Sequence, residues 1–255
     1  MQFTRYIGID YSGAKAPVSR LRELQVFVAD ETGVVSPVAP YDTAARNWCR
    51  KEVARFVREA LQDPAPCIIG IDHGFSFPGG FFERGNIVTW DGLLNEVHKR
   101  WPTDRDHMYV DFARTESPVN EPANEYRLCE RWSSSAKSVF QFDVQGSVAK
   151  STFAGLPWIR AWRADPKLRY RTHFWPFDGF DVPDAKHVVA ECYPSLFRRR
   201  YPNHGRTSDQ QDAFAIASWL SDMDRRGALA DYFNPPLTLP ERRLVRLEGW
   251  ILGVR

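Results

Sequence analysis

Uninterrupted apolar runs that end in or near an acid are the most regular feature of the chain. Residues 6–13 read Tyr-Ile-Gly-Ile-Asp-Tyr-Ser-Gly and residues 67–72 read Cys-Ile-Ile-Gly-Ile-Asp, while residues 187–194 carry Glu191 near their end. Apolar runs without polar alternation are typical of strands covered on both faces, as in a parallel or mixed sheet. We therefore predict three buried strands in these segments.

Shorter patterns predict the elements around these strands. Strands are predicted at 24–29 and 34–38, because both runs are bounded by Asp, Gly or Pro. Apolar residues at steps of three and four predict an amphipathic helix over 45–60. A helix that begins at Ser208 is apolar on most sides and is expected to be buried, and 242–251 forms one more amphipathic segment.

The middle of the chain is irregular, with turns rich in Phe, Pro and Gly and with helices predicted near 92–99, 121–132 and 148–160. The pattern predicts one α/β domain. Its parts are a core of about 1–74 and 187–225, an insertion of about 75–186 and a C-terminal helical extension of about 226–255.

Composition narrows the class of protein. With 255 residues, 43% of them hydrophobic and 26% charged, the chain is not disordered, collagen-like or a coiled coil. Its 34 Lys and Arg nearly balance its 32 Asp and Glu, so a general basic excess is absent while a local basic groove stays open. The 9 Trp and 17 Phe predict large aromatic clusters, and a homodimer built on the aromatic-rich insertion stays open.

The cysteines and the N-terminus bear on location. Cys49, Cys67, Cys129 and Cys192 are widely spaced, which indicates buried thiols in a reducing compartment rather than zinc ligands or disulfides. The first residues lack the features of a secretory leader, and no apolar stretch approaches membrane-spanning length. We expect a cytoplasmic protein with no membrane partner.

The acids at the strand ends are the candidate site. Asp10 and Asp72 end two of the predicted strands, Glu191 lies near the end of the third, and Asp209 and Asp212 are three residues apart on the last buried helix. In open α/β sheets, active sites collect at the carboxyl ends of the strands. Converging carboxylates repel one another and need a cation, and oxygen ligands favour Mg²⁺ or Mn²⁺ over Zn²⁺.

A structural role for each acid stays open. An acid at the end of a strand often caps a turn or the next helix. Ser208-Asp209-Gln210-Gln211 also has the pattern of a capping box, in which Asp209 favours the helix N-terminus without any metal. Asp212 is the hardest acid to explain in this way, because it precedes Ala213-Phe214-Ala215-Ile216-Ala217, an apolar stretch that should pack on the sheet.

The order of these elements resembles the RNase H-like fold. Residues 208–217 are similar to the final helix of RuvC-type Holliday-junction resolvases. Together with 7–13, 69–72 and 190–194, they resemble an uncharacterised family of predicted RNase H-like nucleases, catalogued as a domain of unknown function. The resemblance covers about 1–72 and 187–225. It implies an α/β fold with a mixed sheet, its first three strands antiparallel and the later ones parallel, flanked by helices and interrupted by the large, mostly helical insertion.

The resemblance also implies a divalent-metal-dependent nuclease that hydrolyses phosphodiester bonds by a two-metal mechanism. Asp10 would bridge two Mg²⁺ or Mn²⁺ ions, Asp72 and Asp212 would each hold one, and Asp209 or Glu191 would complete the set. Asp72 departs from the family pattern, since many such nucleases have Glu there. His204, on a loop before the last helix, is a candidate for proton transfer or product release.

Nucleic acid is the partner that this interpretation predicts, with Arg residues pairing with phosphates and aromatic residues stacking on bases. The candidate substrate-binding residues are Ser12, Lys15, Arg114, Arg127, Arg131, Lys150, Arg198 and Arg199.

Two other functions stay open. The first is a phosphotransferase or ATPase of the actin-like and sugar-kinase superfamily, because 7–15 also resembles the first phosphate loop of that group. Such proteins normally duplicate the fold, and no second copy is recognisable in this sequence. The second is a nucleic-acid- or protein-binding module without catalytic activity.

Overall fold

A mixed β-sheet forms the centre of the protein in a computed structural model that describes residues 2–133 and 135–255. Its strands are β1 (Arg5–Asp10), β2 (Gln25–Ala29), β3 (Val35–Pro37), β4 (Cys67–Asp72), β5 (Thr172–Phe174), β6 (His187–Cys192) and β7 (Ile251–Leu252). The strand order is β3-β2-β1-β4-β6-β5, and β7 also pairs with β6. The first three strands are antiparallel and the remaining pairs are parallel. The predicted α/β class with a mixed sheet is therefore confirmed.

Helices cover both faces of this sheet. They are α1 (Arg50–Ala60), α2 (Gly79–Arg84), α3 (Trp90–Arg100), α4 (Val110–Glu116), α5 (Leu128–Ser133), α6 (Ala149–Ala164), α7 (Ser208–Arg225), α8 (Leu229–Phe233) and α9 (Leu239–Glu248), with two 3₁₀ turns at Pro194–Leu196 and Arg198–Arg200. Among the described residues, no helix combines the length and the apolar character needed to cross a membrane.

Strand alternation divides the core into two layers. Tyr6, Ile68 and Val188 pack in one cluster with the buried face of α7. Ile7 and Ile69 pack on the opposite face with α1 and α6. Because side chains two residues apart share a face of a strand, the residue parity in β1 and β4 decides which layer each side chain enters.

Two glycines allow α7 to lie directly on the sheet. A Cβ atom at Gly8 of β1 would stand 2.1 Å from the carbonyl oxygen of Ala213, and one at Gly70 of β4 would stand 2.6 Å from the Ile216 side chain. Neither position has room for a side chain. The close approach brings the first turns of α7 beside the ends of β1 and β4.

Several predicted boundaries are wrong. The predicted helix over 45–60 begins only at Arg50, and that predicted over 121–132 is helical only at Leu128–Ser133. The capping box of α7 is made by Thr207, not Ser208, since the hydroxyl of Thr207 accepts from Gln210 N at 3.2 Å and Gln210 Oε1 accepts from Thr207 N at 3.1 Å. Shifting this cap by one residue leaves Ser208 within the first turn.

The insertion and the C-terminal extension both contribute to the sheet. Segment 75–186 contains α2 to α6 and also β5, which pairs with the first half of β6. Segment 226–255 contains α8 and α9 and ends with β7, which pairs with the last two residues of β6.

Candidate functional site

Asp10 and Asp72 stand side by side at the carboxyl edge of the sheet. They are partners in the register of the parallel pair β1–β4, each as the last residue of its strand. Each shares its strand face with the glycine two residues earlier, Gly8 or Gly70, and both glycines touch α7. The two carboxylates therefore lie on the face of the sheet that α7 covers.

Helix α7 contributes Asp209 and Asp212 to the same place. Both acids lie in the first five residues of the helix, and the close contact of Gly8 with Ala213 fixes that turn against β1. Asp212 is largely enclosed, with 15% of its side chain exposed. Four aspartates from two strands and one helix thus share one edge of the sheet.

Arg198 is the cation that faces this cluster. It lies on the second 3₁₀ turn, where its Nη1 donates to Asp212 Oδ2 at 3.1 Å and its Nη2 donates to Ser208 Oγ at 3.3 Å. Asp212 Oδ1 is equally close to Nη1 but is buried without a hydrogen bond. The ion pair leaves part of the hydrogen-bonding capacity of Asp212 unused.

Burial and mutual repulsion raise the pKa values of the aspartates. Desolvation is the main cause of the raised pKa of Asp10, followed by repulsion from Asp72, Asp212 and Asp209. Desolvation also raises the pKa of Asp72, with Asp212 the next contributor. The pKa of Asp212 rises to about 6 through burial, against the lowering effect of Arg198. Each buried carboxylate is therefore costly to ionise without a cation.

The donor atoms of this cluster are of the type that a hard divalent cation prefers, although the side chains are not arranged around an ion. All the converging donors are carboxylate oxygens, the ligand type that Mg²⁺ and Mn²⁺ favour, and the unpartnered Asp212 Oδ1 could accept a further bond. Within residues 2–133 and 135–255, no three His, Cys, Asp or Glu side chains are placed to hold a metal ion. Any such ion would require the side chains to rearrange, including Asp212 in its pair with Arg198.

Glu191 lies on the opposite face of the sheet from this cluster. It pairs in register with Ile71, not with Asp72, so strand alternation turns its side chain towards the insertion. There its two oxygens accept hydrogen bonds from the Arg127 guanidinium at 2.6 and 2.7 Å, and Phe75 N donates to it at 2.9 Å. Glu191 is fully engaged in this buried ion pair.

Arg127 joins several parts of the fold. Its side chain is 1% exposed, and it also donates to Glu130 Oε1 at 2.8 Å and to the carbonyl oxygen of Glu248 at 3.3 Å. The Glu248 carboxylate in turn accepts from Leu128 N at 2.7 Å. Arg127 thus ties α5, β6 and α9 together, and its donors are directed at protein partners.

Hydrogen bonds from Arg50 hold the backbone of the loop that follows β1. This fully buried guanidinium donates to the carbonyl oxygens of Ser12, Ala14 and Lys15 at 3.2, 2.5 and 2.7 Å. The Ser12 and Lys15 side chains are left partly or fully exposed, and Lys15 has a left-handed backbone with φ of 53°. Arg50 therefore sets the shape of the loop from which both predicted substrate contacts extend.

The candidate His204 and the histidine next to Asp72, His73, have different surroundings. His204 is exposed on a loop two residues before the Arg206 that packs on Phe214. His73 follows Asp72 but lies on the opposite face, where Gly155 of α6 leaves room for its ring. Burial lowers the pKa of His73 to about 4, so its imidazole is neutral near pH 7.

The remaining predicted substrate contacts are dispersed, three of them over the insertion and Arg199 on the turn that carries Arg198. Lys150 Nζ pairs with Asp111 at 2.8 Å, and Arg114 stacks over Phe142 at 3.8 Å. Arg131 is exposed in a groove beside Glu248, and Arg199 is exposed next to Arg198. The structure brings Arg198 to the aspartates, and Arg199 is adjacent to it in the chain.

Sequence reasoning missed several buried charged residues in the surroundings of the site. Arg50, Glu130 and Glu248 are buried charges, and in sequence each looks like an ordinary polar position in a helix. Only Glu248 follows a pattern that could have drawn attention, since it ends an amphipathic helix just before a glycine.

Comparisons with known proteins add no relative. No protein-family model, curated protein or solved structure matches the chain.

Proposed function

We propose that this chain is an RNase H-like nuclease that requires Mg²⁺ or Mn²⁺ and hydrolyses phosphodiester bonds. The observation that carries the proposal is the in-register pair Asp10–Asp72, joined on the same face by Asp212 and Asp209 from α7. The antiparallel strands followed by parallel ones are the sheet arrangement that the sequence resemblance implies. The partners of this cluster would be a metal and a nucleic acid.

Carboxylate chemistry supports the choice of cation. Four aspartates share this edge, and the repulsion between them falls when a divalent cation binds. Two such ions, when bound, would activate a water molecule and stabilise the leaving oxygen of a phosphodiester. Asp10 and Asp72 would hold ions from the strand edge, and Asp212 and Asp209 from the helix. Glu191 would stay outside the ligand set and act as a positioning residue, since it holds Phe75 N in the segment that follows Asp72.

Basic residues beside the cluster support a polyanionic substrate. Arg199 and Arg200 are exposed on the same 3₁₀ turn as Arg198. A phosphodiester backbone that reached the aspartates would pass these side chains, which would bind its phosphates in a salt-dependent way. Arg198 would turn from Asp212 to the substrate once a cation neutralised that carboxylate.

Calorimetric titration with Mn²⁺ tests the proposal. The wild-type protein should bind Mn²⁺, and Asp10→Asn and Asp212→Asn should each bind it much more weakly, because each variant removes a charged ligand. Asp231→Asn is the matched control, since Asp231 is an exposed acid on α8 outside the cluster. Circular dichroism would establish that all four proteins are folded.

Cleavage assays follow for the forms that bind metal. Labelled single- and double-stranded DNA and RNA oligonucleotides should be cut by the wild type only when Mg²⁺ or Mn²⁺ is present, and not by Asp10→Asn. Folded wild-type protein that took up no Mn²⁺, with or without an oligonucleotide, would contradict the nuclease proposal and favour a binding module.

A further inference from the structure

A cavity between α3, α6 and β5 is lined by none of the aspartates of the candidate site. It has a volume of about 520 Å³ and is bounded by the start of α3, the end of α6, β5 and the loop before β6. The N-terminal end of α6 lies against Gly13, near the aspartate edge, whereas Arg160 and Arg163 in its last turns line the cavity. At 1.5 Å per residue, Lys150 and Arg160 are about 15 Å apart along the helix axis. The cavity is therefore separate from the candidate nuclease site.

Two of the three acids of the cavity wall share one arginine. Arg163 pairs with Asp91 of α3 and donates to Asp178 Oδ1 at 2.8 Å. The other oxygen of Asp178 accepts from Phe174 N at 2.8 Å, which fixes the turn after β5. These contacts build the wall and use two of its three carboxylates.

Three further cations line the cavity without a carboxylate partner. Arg160 Nε donates to the neutral Asn95 side chain at 2.8 Å, and among the described residues no carboxylate lies within salt-bridge distance of Arg160, Arg169 or Lys186. Lys186 lines the cavity together with the buried His173, whose pKa is lowered mainly by burial and further by Lys186. In all, four cations and three carboxylates line the cavity, so its lining carries a net charge of +1.

Thr172 is an independent indication that something binds here. It lines the cavity at the start of β5, is 3% exposed, and its buried Oγ1 has no hydrogen-bond partner. A buried hydroxyl without a partner has lost its hydrogen bonds to water without replacement, so such groups are rare without a reason. A ligand oxygen would complete it.

From these features we propose that the cavity binds a small organic phosphate. Arg forks and a Lys ammonium suit a phosphate group, and Thr172 Oγ1 can donate to one of its oxygens. The volume exceeds what a phosphate needs and falls in the range of small-molecule sites. The side chains of Leu94, Phe174 and Pro183 line the remainder, which favours an apolar organic group on the ester.

Titration calorimetry with phenyl phosphate in EDTA tests the proposal, because EDTA removes any contribution from a metal at the aspartates. The wild type should bind phenyl phosphate saturably and more tightly than inorganic phosphate or citrate. Thr172→Val should weaken binding about tenfold or more while leaving the melting temperature unchanged or raised, since it removes only an unpartnered hydroxyl. Lys186→Gln should weaken it by a similar factor.

Arg226→Gln is the matched control, because it removes an exposed positive charge at the end of α7 instead of one at the cavity. Its affinity for phenyl phosphate should equal that of the wild type. The proposal is overturned if the wild type shows no saturable binding, if citrate binds as tightly, or if Thr172→Val and Lys186→Gln both bind as the wild type does. None of these results depends on whether the chain is a nuclease.

Discussion

Arg198 and Asp212 form the one ion pair of the aspartate cluster within the described residues, with Arg198 Nη1 3.1 Å from both carboxylate oxygens of Asp212. Burial and repulsion between the acids raise the pKa values of Asp10 and Asp72, and the same guanidinium offsets part of that rise. One protein cation thus offsets several acids at the position where the proposed function requires a metal ion. Protein and metal charges compete for the same carboxylate.

Removing this cation should therefore strengthen metal binding. Arg198→Gln should bind Mn²⁺ about tenfold more tightly than the wild type, because the charge that repels the ion and holds Asp212 is gone. Arg200→Gln removes the same charge from the same turn without contacting Asp212, and should stay close to the wild type. Parallel calorimetric titrations measure the Mn²⁺ affinity of both variants. Equal affinity in wild type and Arg198→Gln would show that the ion pair does not oppose metal binding.

The raised pKa of Asp212 predicts a pH-dependent stability in metal-free protein. Its pKa is about 6 in the folded state, against an ordinary value of 3.8, so between these pH values the folded form holds more protons than the unfolded form. Folding stability is then highest at the acid end and falls as pH rises towards 6. Asp212→Asn does not titrate and should escape this loss.

Urea denaturation in EDTA at pH 4 and pH 7.5 measures the effect. The free energy of unfolding of Asp212→Asn, relative to the wild type, should be greater at pH 7.5 than at pH 4 by about 1–2 kcal/mol, a figure reduced for partial solvent access and for the loss of the Arg198 pair. A difference between the two proteins that is the same at both pH values would contradict the predicted pKa.

Gly8 should tolerate no side chain. In Gly8→Ala the new Cβ would meet the backbone of Ala213 and Ala217 at 2.1 and 2.6 Å, so α7 would have to move from the sheet. We expect a loss of about 3 kcal/mol or more in the free energy of unfolding. The same shift would carry Asp212 away from Asp10, so Mn²⁺ affinity should fall as well.

Gly205→Ala is the control for this substitution. Gly205 lies shortly before α7. Nothing lies within 4 Å of a Cβ atom added to it, and its φ of 83° is the only obstacle to a side chain there. That backbone conformation should cost about 1 kcal/mol. Denaturant unfolding of the two variants separates helix displacement from local strain, and similar losses would remove the argument for close helix contact.

The buried network around Arg127 should lose stability when this cation is removed. Arg127→Gln would leave Glu191 and Glu130 buried without their cation and should destabilise the protein by about 3–5 kcal/mol. Chemical denaturation checks this value. A loss below about 1 kcal/mol would mean that water reaches these carboxylates after the substitution.

Glu191→Gln distinguishes a positioning role from metal ligation. Because Glu191 faces Arg127 on the side of the sheet away from α7, the folded variant should keep its Mn²⁺ affinity within about threefold, whereas a direct carboxylate ligand should cost far more. Asp10→Asn in the same titration supplies the scale for the loss of a ligand. A comparable loss in Glu191→Gln would return Glu191 to the ligand set.

Local patterns in the sequence were enough to predict the central strands and the acids at their ends. Continuous apolar runs identified β1, β4 and β6, because a strand buried on both faces needs no polar alternation, and Asp10 and Asp72 followed as neighbours once those strands were parallel. The helix that carries Asp209 and Asp212 was visible in its apolar composition. These signals lie within short stretches of sequence, so they can be recognised without knowledge of the tertiary structure.

The tertiary structure alone decided which of these acids meet. The register of β4 with β6 places Glu191 opposite Ile71, which sends it to the other face, and no local pattern encodes that one-residue offset. Buried charges such as Arg50 and Arg127 were equally hidden, since their partners are carbonyl and carboxylate groups distant in the chain. The cavity at Thr172 also depends on α3, α6 and β5 coming together, because its polar groups belong to segments that are unrelated in sequence.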